Sequence, residues 1–220
     1  MPDPANSDPL DPPGVHADYP PAELRESDVD RDPVTQFKRW IEEAAAAGAP
    51  EPWAVTLATA TRKGRPSSRV VYLRGIDARG FVFFTNYASR KGEELAANAH
   101  ASLVAFWPLL RRSVRVEGEA QRTSEAESDA YFQGRPRASQ IGAWASPQSR
   151  PLEGRRELER RVAEIERRFP GDVPRPPFWG GFRVTPSAIE FWQGRESRLH
   201  DRLRFRRGVD GGWLLQRLAP

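Results

Sequence analysis

A mainly β protein is expected, an antiparallel barrel-like sheet with peripheral helices. Three observations lead there. From Trp53 to Ala120 the chain runs through short stretches of β-forming residues separated by turn residues. Further stretches of the same kind return after Pro177. The helical patterns between them are short or carry a single apolar stripe, which suits helices packed on the outside of a sheet.

The first 31 residues are dominated by Pro, Asp and small residues and read as a flexible arm, with one domain over 32–220. Asp32 and Pro33 read as the N-cap and first residue of a helix that carries Phe37, Trp40, Ile41 and Ala44 on one face and ends by Gly48. Strands follow at 53–59, 68–74 and 81–85, with turns at 62–66 and 77–80. A short helix is expected over 89–98, strands over 101–107 and 113–120, and helices over 124–131 and 138–144. Ser124 and Glu127 form a capping box. A long helix over 151–169 places Leu158, Val162, Ile165 and Phe169 on one face, with an Arg/Glu-laced opposite face. The last strands are expected at 181–185, 189–193, 203–207 and 213–218.

Composition removes several chemistries. The chain has no cysteine, so disulfides, zinc-thiolate sites and a cysteine nucleophile are excluded. Its three histidines, His16, His100 and His200, are too scattered for a histidine metal site. There is no Gly-rich dinucleotide fingerprint, P-loop or Gly-x-Ser-x-Gly elbow. No apolar run is long enough to cross a bilayer, and Met1–Leu10 lacks the character of a signal peptide, so the cytoplasm is the expected location. A net charge of +4 is a weak basis for nucleic-acid binding. The positions of the arginines are more informative.

Four segments could carry chemistry. Ser89-Arg90-Lys91-Gly92 opens a helix, where free N–H groups and two cations suit a phosphate monoester; it also reads as a charged surface helix start. Arg69 and Arg74 flank an apolar strand and, five positions apart, point to opposite faces; they also read as long side chains snorkelling at a sheet margin. Tyr131 to Trp144 gathers Tyr131, Arg135 and Ser139 around a helix break, a set that matches a planar ring bearing a phosphate. In the fourth, Arg198, His200 and Arg202 alternate and would share one face of an extended chain. Flanking arginines would hold the imidazole neutral beside an anionic ligand.

Together these segments resemble the pyridoxamine 5'-phosphate oxidase family. The matching stretches are Ser68–Leu73, Phe83–Gly92, Gly134–Trp144 with Gln148-Ser149, Phe178–Gly181, Glu190–Gly194, Arg198–Arg202 and Arg217–Pro220. The resemblance implies a split β-barrel that binds flavin mononucleotide (FMN), and a homodimer with each flavin at the subunit interface. It implies oxidation of pyridoxamine or pyridoxine 5'-phosphate by dioxygen to pyridoxal 5'-phosphate, giving hydrogen peroxide, and ammonia from the amine.

By position, the resemblance assigns FMN to Arg69, Val70, Val71, Tyr72, Leu73 and Arg74, to Phe84 and Thr85, to Arg90 and Lys91, and to Ser113, Gln148, Ser149, Trp192 and Arg202. Tyr131, Arg135 and Ser139 would hold the substrate phosphate. Arg74, Arg198, Leu199 and His200 would also contact substrate, with Arg198 and His200 catalytic over its ring. Four positions depart from the family pattern. Arg74 stands for a usual Lys, Ser113 for a common Gln and Phe84 for a frequent Tyr, and the N-terminal Arg-x-x-Tyr segment is represented only by His16 and Tyr19. The competing readings are a related oxidase acting on a reduced phenazine-type ring, which should lack the Arg135/Ser139 phosphate set, and a non-enzymatic flavin-binding or tetrapyrrole-binding barrel.

Overall fold

The computed structural model describes residues 22–220. Residues 1–21, with His16 and Tyr19 of the expected arm, lie outside the described residues. Helix α1 (Pro33–Ala46) starts where Asp32 accepts from the backbone of Val34 at 3.3 Å and Thr35 at 3.1 Å. Its apolar face is the barrel's plug. Phe37 meets Phe81 and Trp107 edge-on, at 5.0 and 6.0 Å between ring centroids, and Trp40 meets Phe191 at 5.1 Å.

Nine strands form one antiparallel sheet: β1 (Ala54–Ala60), β2 (Pro66–Tyr72), β3 (Gly75–Asp77), β4 (Gly80–Asn86), β5 (His100–Trp107), β6 (Arg112–Arg122), β7 (Trp179–Gln193), β8 (Asp201–Arg207) and β9 (Trp213–Arg217). The order is β2-β1-β5-β6-β7-β4-β3, and β8 and β9 branch from β7. Inward residues such as Leu57, Leu103, Val114, Val116 and Phe191 fill the core.

Two of the expected strands are one. The readings at 181–185 and 189–193 merge into β7, which runs through Pro186. Proline has no N–H to give to a ladder, so a break was the natural inference. The β6–β7 register shifts at Glu117/Gly118, leaving Ser187 as the extra residue. Gly118 makes this possible, because a Cβ there would lie 2.1 Å from the Thr185 carbonyl oxygen. At this kink one edge of β7 passes from β4, paired with 179–184, to β8, paired with 188–193.

The short strand β3 was not foreseen within 75–77, and the turn expected at 77–80 narrows to Ala78-Arg79. Peripheral helices are α2 (Arg90–Ala97), α3 (Glu125–Gln133), α4 (Arg137–Ala145) and α5 (Arg155–Arg168). The last is shorter than the 151–169 expected. A second apolar cluster of Phe132, Ile141, Val173 and Trp179 packs against Val162, Ile165 and Phe169, tying α3, α4 and α5 to the start of β7.

Residues 23–28, expected as part of a flexible arm, are held against the sheet. Leu24 is buried, its N–H donates to Asp201, and Arg217 binds both Glu26 and the Leu24 carbonyl. An apolar anchor and a half-buried carboxylate acceptor therefore fix residues 23–28 to β8 and β9.

Candidate active site

A groove of about 540 Å³ opens where the edge of β2 faces β4 and the α3–α4 junction. The strand β2 ends the sheet path, so its second edge carries no strand partner among the described residues. Arg69, Val70, Val71, Tyr72 and Arg74 all line the groove. Arg69 lies in β2, but Arg74 lies beyond its end at Tyr72, where the Arg74 N–H donates to the Val82 carbonyl at 2.8 Å, so the opposite faces expected from alternation do not apply and both side chains meet one cavity.

Four cations line this groove, Arg69, Arg74, Lys91 and Arg135, and no carboxylate does among the described residues. Lys91 is buried, and its ammonium donates only to neutral oxygens in the contacts resolved: Gln148 Oε1 at 2.7 Å, Thr85 Oγ1 at 3.1 Å and Ser89 Oγ at 3.3 Å. Burial, with the nearby Arg69 charge adding to it, lowers the Lys91 ammonium to about 8. Gly92 lets the first turn of α2 sit this close. A Cβ there would lie 2.3 Å from the Tyr87 carbonyl oxygen.

Arg135 closes the other part of the groove. Its guanidinium lies over the Trp179 ring at 4.7 Å, and its Nη1 is buried with no hydrogen-bond partner among the described residues. Burial pushes this group down; Tyr131 acts against that and the Arg74 charge acts with it. A flat wall stands beside it, where Phe84 stacks on Tyr131 at 3.9 Å and 8° and on Trp179 at 5.6 Å and 12°. Phe84 therefore uses its ring in the wall, while its backbone pairs with Gly181 in the β4–β7 ladder. Ser139 lines the same groove.

Behind the groove stands a carboxylate that motif reading passed over. Glu94 Oε2 accepts from Thr59, from Ser67 at 2.6 Å and from Arg69 at 3.5 Å, and Oε1 accepts from Arg90 Nε at 2.9 Å. Burial alone would raise its pKa, but the hydrogen bonds from Ser67, Thr59 and Arg90 hold it at about 2. Its only sequence signal was the i, i+4 spacing from Arg90. Arg90, Ser149 and Leu73 do not line the groove. Arg90 turns to Glu94, Ser149 sits in an exposed turn at φ 69°, and Leu73 is core.

The remaining expected residues gather elsewhere. Ser113, Trp192 and Arg202 line a second hollow of about 450 Å³ with Glu190. Buried Glu190 accepts from Arg202 Nε at 2.9 Å and from Arg115 Nη2 at 2.7 Å. His200 lies against Trp192, 4.6 Å between centroids, and its Nδ1 accepts the Arg195 N–H at 3.0 Å. That bond requires an unprotonated Nδ1, which places the proton of the neutral ring on Nε2.

Alternation does not describe Arg198 and His200. The chain turns through Glu196–Arg198, with Ser197 at φ 55° and Arg198 at φ 60°, and the strand starts only at Asp201. Two successive left-handed residues with a Cβ cost roughly 1–2 kcal/mol each. Leu199 beside them is exposed.

The pattern described as "Pyridoxamine 5'-phosphate oxidase" matches residues 41–169. A pyridoxine/pyridoxamine 5'-phosphate oxidase of Rubrobacter xylanophilus is 61% identical over 94% of this chain and 95% of its own. The chain belongs to the pyridoxamine 5'-phosphate oxidase family. A second oxidase of that name, from Ralstonia nicotianae, is 55% identical over 94% of this chain and 97% of its own. The pattern described as the "Pyridoxine 5'-phosphate oxidase C-terminal dimerisation region" matches residues 179–220, which hold β7, β8 and β9 and the whole Arg195–Asp201 loop. Among solved structures, PhzG of Burkholderia lata in complex with tetrahydrophenazine-1-carboxylic acid superposes with a TM-score of 0.84 at 37% identity, covering 90% of this chain and 98% of that one. A pyridoxamine 5'-phosphate oxidase-related, FMN-binding protein of Nostoc punctiforme shares the fold at a TM-score of 0.67 and 16% identity, over 84% of this chain and 97% of that one. The split barrel expected for this family is thus the fold observed.

Among the described residues no helix is long and apolar enough to cross a membrane.

Proposed function

We propose that this chain binds FMN and oxidises pyridoxamine or pyridoxine 5'-phosphate to pyridoxal 5'-phosphate with dioxygen. The observation that carries the reading is Arg135. A buried guanidinium with an unpartnered nitrogen, in a groove of four cations without a carboxylate, is costly unless an anion enters. Two separated pairs of cations, Arg69 with Lys91 and Arg74 with Arg135, suit two phosphates, one on the cofactor and one on the substrate.

The residues present fit FMN. Lys91, Arg69, Thr85 and Gln148 form the polar end of the groove, and the open edge of β2 offers backbone groups to a ring. Bound there, FMN would supply the two-electron acceptor. Arg135 and Ser139 would hold the substrate phosphate and Tyr131 its flank. Arg198 would orient the substrate ring, and His200, with its proton on Nε2, would donate a hydrogen bond to it.

The site needs two copies of the chain. Trp179 lines the cationic groove and Trp192 lines the second hollow, at the two ends of β7. That is on the order of 40 Å of strand, beyond the reach of one small ligand. Trp192, Arg202, Arg198 and His200 would therefore reach each groove from a second protomer of a homodimer.

A phenazine-type substrate is the second reading, favoured by the likeness to PhzG. The two are separated by assaying purified protein with pyridoxamine 5'-phosphate, pyridoxine 5'-phosphate and a reduced tricyclic carboxylate. Turnover of the phosphorylated pyridines, lost without their phosphate, is expected. Turnover of the tricycle alone would replace the proposal with the second reading.

A further inference from the structure

The loop that carries Arg198 and His200 is closed at its base and held from outside. Arg195 precedes it and Asp201 follows it, and Arg195 Nη1 donates to Asp201 Oδ2 at 3.1 Å. The backbone N–H of the same Arg195 donates to His200 Nδ1 at 3.0 Å. Asp201 then gathers two more donors from distant chain: the Leu24 N–H at 3.1 Å and Arg217 Nη1 at 2.7 Å. Glu23 adds an ion pair to Arg195 at 3.5 Å.

This convergence has a physical reason. Ser197 and Arg198 both sit at left-handed φ, a conformation that side-chain-bearing residues hold only when their surroundings over-determine it. Burial alone would raise the Asp201 pKa, yet the Leu24 N–H, Arg195 and Arg217 hold its carboxyl below the usual range. It is a charged anchor at neutral pH.

We infer that Asp201 is a positioning residue, which clamps Arg195 across the base of the loop and Leu24 against its outside, so that residues 23–26 form part of the frame holding Arg198 and His200 for substrate. The inference rests on the reading of Arg198 and His200 as the substrate-facing pair. It makes the N-terminal segment a functional element at a distance, acting through Asp201 and not by touching substrate.

The test compares the purified flavin-loaded wild type with Asp201→Asn and Glu23→Gln. Trypsin cleavage after Arg195 and Arg198 under native conditions should quicken about tenfold in Asp201→Asn, and by about twofold to threefold in Glu23→Gln. In the first variant KM for pyridoxamine 5'-phosphate should rise about tenfold, with FMN affinity within about twofold of wild type. In an Arg198→Ala background, Asp201→Asn should lower kcat/KM by clearly less than it does in the wild type, because of the substrate-facing pair only His200 is then left to position. Unchanged cleavage, parallel losses of FMN and substrate affinity, or a full additional loss in the Arg198→Ala background would overturn the inference. Glu23→Gln keeps it testable should Asp201→Asn fold poorly. If the wild type turns over no phosphorylated pyridine, the functional reading fails, and proteolysis alone decides whether Asp201 holds the loop.

Discussion

Lys91, on the first turn of α2, donates to the side-chain oxygen of Gln148 at 2.7 Å across 57 residues of chain. The bond brings a cation into the groove with only neutral oxygens resolved around it. Its consequence is a titration. Lys91 sits at about 8 in this structure against an ordinary lysine value of 10.5. In flavin-free protein the charged amine therefore opposes folding below about pH 8, and that opposition fades as pH rises towards 10.5. A phosphate beside Lys91 would restore its charge. Calorimetry in buffers of differing ionisation enthalpy should show proton uptake on FMN binding between about pH 8 and 10, and Lys91→Met should abolish it.

Arg135→Ala should raise KM for pyridoxamine 5'-phosphate by roughly 10- to 200-fold, the value of one charge-assisted hydrogen bond at about 1.5–3 kcal/mol. FMN affinity should stay within about threefold. Steady-state kinetics with a parallel flavin titration check both. Equal weakening of cofactor and substrate would place Arg135 at the wrong phosphate.

Glu94→Gln should destabilise the protein by about 1–3 kcal/mol at pH 7, because Arg69, Thr59, Ser67 and Arg90 all lean on one buried carboxylate. The folded-state pKa, at about 2, lies below the ordinary glutamate value of 4.5. The stabilisation is then complete above about pH 4.5 and fades as pH falls towards 2. Urea unfolding of wild type and variant at pH 7, 5 and 3.5 should show the gap closing only at the lowest value.

Much of the fold was legible because local signals agreed with the final packing. Asp32-Pro33 opened α1 where expected, and Ser124 with Glu127 capped α3. Legibility failed where long-range structure overrode a local rule. Pro186 looked like a strand break, but a bulge at the next residue, Ser187, lets β7 continue. Arg198 and His200 looked alternating, but a left-handed turn at Ser197 removes the extended chain that alternation assumes. Motif reading pointed to the groove's cations, yet missed Glu94 and Asp201, whose roles come from partners 27 and 177 residues away. A carboxylate reveals such partners only once the sheet is built.

Glu190→Ala should cost about 2–4 kcal/mol, since it would leave Arg115 and Arg202 facing each other without the carboxylate between them. The loss should appear together with weakening of the proposed homodimer in sedimentation, because Glu190 and its partner Arg202 lie within the matched dimerisation region.

A visible spectrum of the purified protein shows whether a phosphorylated pyridine reduces its flavin. Pyridoxamine 5'-phosphate added without oxygen should bleach the flavin band, and air should restore it as pyridoxal 5'-phosphate appears. A flavin band that stays unchanged on that addition would contradict the proposed substrate, and a protein that takes up no FMN at all would contradict the proposed site.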